Sequence, residues 1–153
     1  MSFEAKLQEL GIELPEPPSP AAKYIPAKQA GDLLFIAGQV PFWNGELQHV
    51  GKVGAEKTEE DGYKSAEICA LNAIAVAKAY LESLDKIEEV VSVRGFVNCV
   101  DGFGNQPEVI NGASEMLGKI FGEQGKHVRA AVGTNALPRN VTTEVEMIFR
   151  VKS

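Results

Sequence analysis

A run of small residues at helical spacing constrains this chain more than any other feature. From Thr58 the sequence reads TEEDGYKSAEICALNAIAVAKAYLESL. Thr58 is a suitable N-cap, and Glu59, Glu60 and Asp61 place negative charge at the positive end of the helix dipole. Tyr63, Ala66, Ala70, Ala73, Ala77, Tyr80 and Leu84 recur on one face, so a helix is expected from Thr58 to about Leu84. Its stripe is mostly alanine, so whatever packs there must approach closely.

The remaining pattern gives the fold class. Asp32 to Gly38 reads as a strand, and Asn44-Gly45 marks a hairpin turn between Phe42 and Leu47. Ile87 to Val100 is a long strand. A second helix follows Pro107, with Val109, Ala113, Leu117 and Ile120 as its apolar stripe and Gly122 as its C-cap. Strands at His127 to Asn135 and Thr142 to Val151 close the order, joined through Leu137 to Asn140. Alternating strands and helices with hairpins at the ends predict an α+β fold, a mixed sheet with two helices packed on one face. The 153 residues suit a single domain, 1–153, in which residues 1–22 form an N-terminal arm. That arm holds a short helix from Phe3 to Leu10 and the proline-rich Leu14 to Pro20, and reads as peripheral.

Composition excludes several functions. The net charge is −6, which gives no general attraction to nucleic acid or an anionic membrane. No apolar run approaches the roughly 20 residues that span a bilayer. The opening MSFEAKLQEL lacks the basic and apolar regions of a secretory signal, and the expected location is the cytoplasm. Cys69 and Cys99 read as reduced core thiols, and with only His49 and His127 beside them no zinc site is expected. No GxGxxG, P-loop, HExxH or GxSxG pattern occurs, so no metal or organic cofactor is expected.

The polar residues of interest lie on the sheet face that no helix covers. Glu144 and Glu146 alternate against Val145, Met147 and Phe149. Arg129, Ala131 and Gly133 are read onto that same open face from a neighbouring strand, with Val128 and Val132 turned towards the helices. Small and apolar residues on this face predict that another subunit covers it. Arg129 beside the glutamates reads either as a guanidinium for a carboxylate next to an acid/base group, or as an interface ion pair. His127 is read as a rim residue within reach of a ligand at Arg129, and Trp43 as packing a loop.

Ala37 to Pro41 (AGQVP) resembles the S-G-Q-[I/V]-P segment of the YjgF/RidA, or endoribonuclease L-PSP-like, family. Arg129 to Phe149 (RAAVGTNALPRNVTTEVEMIF) is similar to that family's C-terminal signature, with the spacing from arginine through Leu-Pro to the second glutamate kept. Tyr24 precedes the Gly-Gln at the family's interval, and VINGASEML around Asn111 resembles its N-A-[S/T]-Y-E helix. The arm and the long Leu47–Thr58 connection mark a divergent branch. The resemblance implies a chorismate-mutase-like homotrimer of the bacillus type, with a small-molecule cleft at each subunit interface. It implies hydrolysis of enamine and imine intermediates to 2-keto acids and ammonia. Arg129 would hold the substrate carboxylate, Glu146 would position the water, and Tyr24, Ala37, Gly38, Asn111 and Ala131 would line the cleft. Ala37 stands where the family has Ser or Thr, and Ala131 where it often has Cys; both remove polar groups. The alternatives are a trimer that binds a small carboxylate without chemistry, and a ribonuclease, which the acidic charge disfavours.

Overall fold

The computed structural model describes residues 2–20 and 22–152. Helix α1, Phe3–Leu10, starts on Ser2, whose hydroxyl accepts from the Ala5 amide, and ends on the left-handed Gly11. Strands β1, Ala27–Ala30, and β2, Leu33–Gln39, form a hairpin. A second hairpin of two-residue strands, β3 (Phe42–Trp43) and β4 (Glu46–Leu47), turns at Asn44-Gly45 with positive φ at both residues. Helix α2 spans Glu59–Leu81 and opens with a reciprocal capping box between Thr58 and Asp61. Strand β5, Ile87–Asn98, helix α3, Gln106–Phe121, strand β6, Val128–Thr134, and strand β7, Thr143–Val151, complete the chain. Among the described residues no helix is long and apolar enough to cross a membrane.

The five long strands lie in the order β1-β2-β7-β5-β6. Only β5 and β6 are parallel, linked through the α3 crossover; the other pairs are antiparallel. The sheet is therefore mixed, with α2 and α3 against one face. Leu34, Ile36, Val90, Val93, Val97, Val145, Met147 and Phe149 point into that layer and are buried with Ala66, Ala70 and Ala73 of α2. The expected close approach is present between the helices: a Cβ on Gly112 of α3 would lie 2.1 Å from the Tyr63 carbonyl oxygen of α2. Tyr80 departs from the expected stripe. It is exposed although it lies within α2, and Leu84, expected on the same helix, is buried in a short 3-10 turn past its end at Leu81.

Two expectations are corrected here. The N-terminal arm is not merely peripheral. Phe3 meets Phe121 edge-on at 4.7 Å, Leu7 and Pro15 are buried, and Leu14 packs against the core. The arm covers the side of α2 that the sheet leaves bare, beside Ala75 and Ala79. The second correction concerns β6. Its parallel register sets Val93 beside Arg129, Gly95 beside Ala131 and Val97 beside Gly133. Val93, Gly95 and Val97 are buried towards the helices, so Arg129, Ala131 and Gly133 face α3 as well. Val128 and Val132 take the open face, 70% and 46% exposed.

Candidate functional site

Alternation along β7 turns Glu144 and Glu146 onto the open face, and their surroundings then differ. Glu146 receives Arg94 of β5, with Nε 3.1 Å from Oε1. Glu144 is half-buried and, among the described residues, no cation pairs with it. Burial, and secondarily the charge of Glu146, raise its pKa above the ordinary carboxylate value. The β2–β7 register breaks between Ile36 and Gln39, and Gly38 lies in that break. A Cβ there would stand 2.2 Å from Glu144 Oε2, so the missing side chain is what gives the carboxyl group room.

Glu144 opens into a cavity of about 420 Å³. Tyr24, Gly38, Pro18 and Pro20 of the arm, and Arg139 line it. Arg139 sits in the turn before β7 with φ 55°, a left-handed backbone that a non-glycine residue seldom adopts. Tyr24 also borders a shallower groove with Ala37, Arg94 and Glu146. Tyr24, Ala37, Gly38 and the two glutamates thus form one cluster.

Arg129 forms another. Its Nη1 donates to Asn111 Oδ1 at 2.8 Å and to Ser114 Oγ at 3.2 Å, and its Nη2 donates to the Pro107 carbonyl at 3.3 Å. Asn111 and Ser114 are three residues apart on α3 and share a face. Among the described residues, protein acceptors take three of the five guanidinium N–H groups, leaving one on Nε and one on Nη2. Ala131 lies on the same side of β6, partly buried against the core.

The expected juxtaposition of Arg129 with Glu146 within one chain does not occur. β5 separates β6 from β7, and the two side chains lie on opposite faces of the sheet. Sequence reasoning expected β6 and β7 to neighbour each other because a short turn joins them, but the α3 crossover puts β6 on the far edge. Ser114, Arg94 and Arg139 were not singled out. Arg94 had a signal, the one basic residue of a strand whose other charges, Glu88 and Glu89, stand at its start. Among the described residues no three His, Cys, Asp or Glu side chains gather as a metal site would need.

Comparison with known proteins places this architecture. Residues 4–150 match the family described as "YjgF/chorismate_mutase-like, putative endoribonuclease". Protein TCP17 of Trypanosoma cruzi is 36% identical over 150 residues, covering 97% of this chain and 94% of its own. The crystal structure of Atu1372 from Agrobacterium tumefaciens, a protein of unknown function, is 38% identical with a TM-score of 0.90, covering 99% of this chain and 92% of its own. A "putative endoribonuclease" of Shewanella oneidensis MR-1 is 31% identical with a TM-score of 0.95, over 99% of this chain and all of its own. The chain belongs to the YjgF/chorismate-mutase-like family.

Proposed function

We propose that the protein is a cofactor-free hydrolase of small 2-imino carboxylates and their enamine tautomers, acting in clefts between the subunits of a homotrimer. The observation that carries this reading is Glu144, a half-buried carboxylate that no cation pairs with among the described residues, raised in pKa and set in a cavity. A group that served only to hold an anion would not be a second carboxylate; a group that moves protons would. Glu146, the carboxylate expected in this role, is occupied by Arg94. Glu144 therefore takes it.

Arg129 supplies the complementary half. Its remaining Nε–H and Nη2–H suffice for one bidentate carboxylate. Because Arg129 and Glu144 lie at separate places on one chain, the cleft needs Arg129 from one subunit and Tyr24, Gly38 and Glu144 from the next. Two features support such an assembly: the apolar open face, with Phe35, Val128 and Val132 exposed, and the edge of β6, which no strand among the described residues pairs. In the cleft, Glu144 accepts a proton from water as its oxygen bonds to C2 of the imine. Glu144 returns that proton to the nitrogen, then carries the hydroxyl proton of the carbinolamine to the nitrogen as well; the C–N bond breaks, its electron pair leaves with ammonia, and the C2–O bond becomes a carbonyl. The product is the 2-keto acid.

The test generates 2-imino acids in situ and follows the 2-keto acid released. Glu144→Gln is expected to bind normally and to lose about a hundredfold to ten-thousandfold in turnover. Arg129→Lys is expected to lose binding, since an ammonium cannot reproduce the planar fork. Ala37 and Ala131 leave the cleft poor in polar groups, which favours the alternative of a carboxylate-binding trimer. A wild type that binds pyruvate through Arg129 but hydrolyses no imine would establish that alternative.

A further inference from the structure

The guanidinium of Arg129 is backed by a chain of hydrogen bonds whose direction the geometry fixes for a neutral His127 ring. His127 Nδ1 lies 2.6 Å from the Gly125 carbonyl oxygen. A carbonyl only accepts, so Nδ1 carries the proton, and in the neutral ring Nε2 is the acceptor. Ser114 Oγ lies 2.9 Å from Nε2 and must donate its single hydrogen there. Its oxygen then has only lone pairs to offer, and Arg129 Nη1 donates to it at 3.2 Å. Every donor points the same way, from Arg129 through Ser114 and His127 to Gly125. Each bond in such a chain polarises the next.

The far end of the chain is anchored. Gly125 is buried, and a Cβ there would lie 2.6 Å from the Leu117 carbonyl oxygen of α3. The turn carrying the final acceptor is therefore pressed against the helix that carries Ser114 and Asn111. Arg129 and His127, two residues apart, reach this helix from the same side of the chain.

We propose that Ser114 and His127 form a positioning pair for Arg129. They hold its Nη1 edge against α3, so that the Nε–H and Nη2–H donors are set for the ligand carboxylate before it arrives. This rests on Arg129 being the carboxylate anchor. Neither residue acts on the reacting atoms. Their effect is to remove, on folding, rotamer freedom that binding would otherwise have to freeze.

The experiment measures pyruvate binding by calorimetry and KM and kcat for imine hydrolysis, with melting temperature recorded for each variant. Ser114→Ala deletes the link. His127→Asn keeps a donor near the Nδ1 position but has nothing at Nε2. His127→Gln places its amide oxygen where Nε2 was. Ser114→Ala and His127→Asn are each expected to raise Kd and KM by about 2- to 10-fold with kcat unchanged. His127→Gln should restore most of the loss, and the Ser114→Ala/His127→Asn double variant should be no worse than Ser114→Ala alone. Additive losses, a fall in kcat at constant KM, or unchanged binding in Ser114→Ala would overturn the pairing. Arg129→Ala separates the two ideas. If it abolishes binding while Ser114→Ala does not weaken it, only the positioning role falls; if it binds pyruvate as wild type does, the Arg129 reading falls with it.

Discussion

Replacing Gly112 with alanine tests whether the closeness of α2 and α3 is as tight as the small-residue stripe requires. The new Cβ would lie 2.1 Å from the Tyr63 carbonyl oxygen, 2.9 Å from its carbon and 3.3 Å from Ala66 Cβ. Two of these are main-chain atoms, so no side chain can rotate away. Real Cβ atoms essentially never come within 3.0 Å of a neighbour, so the helices must part by roughly 1 Å. Such overpacking costs about 1–3 kcal/mol. Helix propensity works the other way, by up to about 1 kcal/mol in favour of alanine. Gly118, on the same helix with nothing within 4 Å of its would-be Cβ, isolates that second effect. Urea denaturation is the assay. Gly118→Ala should raise stability by about 0.5–1 kcal/mol. Gly112→Ala should lower it by about 1–2 kcal/mol, a fall in midpoint of roughly 1 M. Gly112 also lies between Asn111 and Ser114, so parting the helices should weaken pyruvate binding. A midpoint for Gly112→Ala at or above that of wild type, with Gly118→Ala behaving as expected, would refute the close-approach reasoning.

Three further outcomes are expected. Glu146→Gln removes one of the two causes that raise the Glu144 pKa, while burial remains. Glu144 works deprotonated, so the acid limb of the pH–rate profile should move to lower pH; an unmoved limb would show that another group controls it. Val132→Glu sets a charge on the exposed apolar face and should cost a single chain little. Light scattering should show the assembly breaking into smaller species, and an unchanged mass would mean the interface lies elsewhere. Burial pushes the Cys69 thiol up to about 12, so a thiol reagent should label it only after unfolding; fast labelling of native protein at Cys69 would contradict the core placement.

The elements that bury one clear face were legible in the sequence. α3 and β7 bury one helical face and alternate strand positions respectively; α2 and β5 were legible as elements, although the arm buries the other side of α2 too and two register shifts break the alternation of β5. β6 misled the reading for a physical reason. Polar residues are normally assigned outward and valines inward, but β6 is an edge strand whose covered side meets the polar flank of α3 at Asn111 and Ser114. The inward positions therefore hold Arg129, Ala131 and Gly133, and the valines remain exposed. β1 carries no apolar alternation beyond Ala27 and was not anticipated. The assignment of roles between Glu144 and Glu146 depended on Arg94, whose register opposite Glu146 is a long-range fact. Local pattern carries no record of it.

The strand order also bears on how the chain is made. β7 lies between β2 and β5, yet it is synthesised after both. Until it arrives, the β1–β2 hairpin and β5 have no hydrogen-bonded connection within the sheet, and α2 lacks part of the surface it packs on. A nascent chain that has completed α3 and β6 still exposes two unfilled strand edges flanking a gap one strand wide. Chaperone engagement and aggregation on the ribosome should therefore peak just before β7 emerges. A stall placed there should yield a protease-sensitive chain, and protection should arrive in one step once Thr143 to Val151 is free to insert.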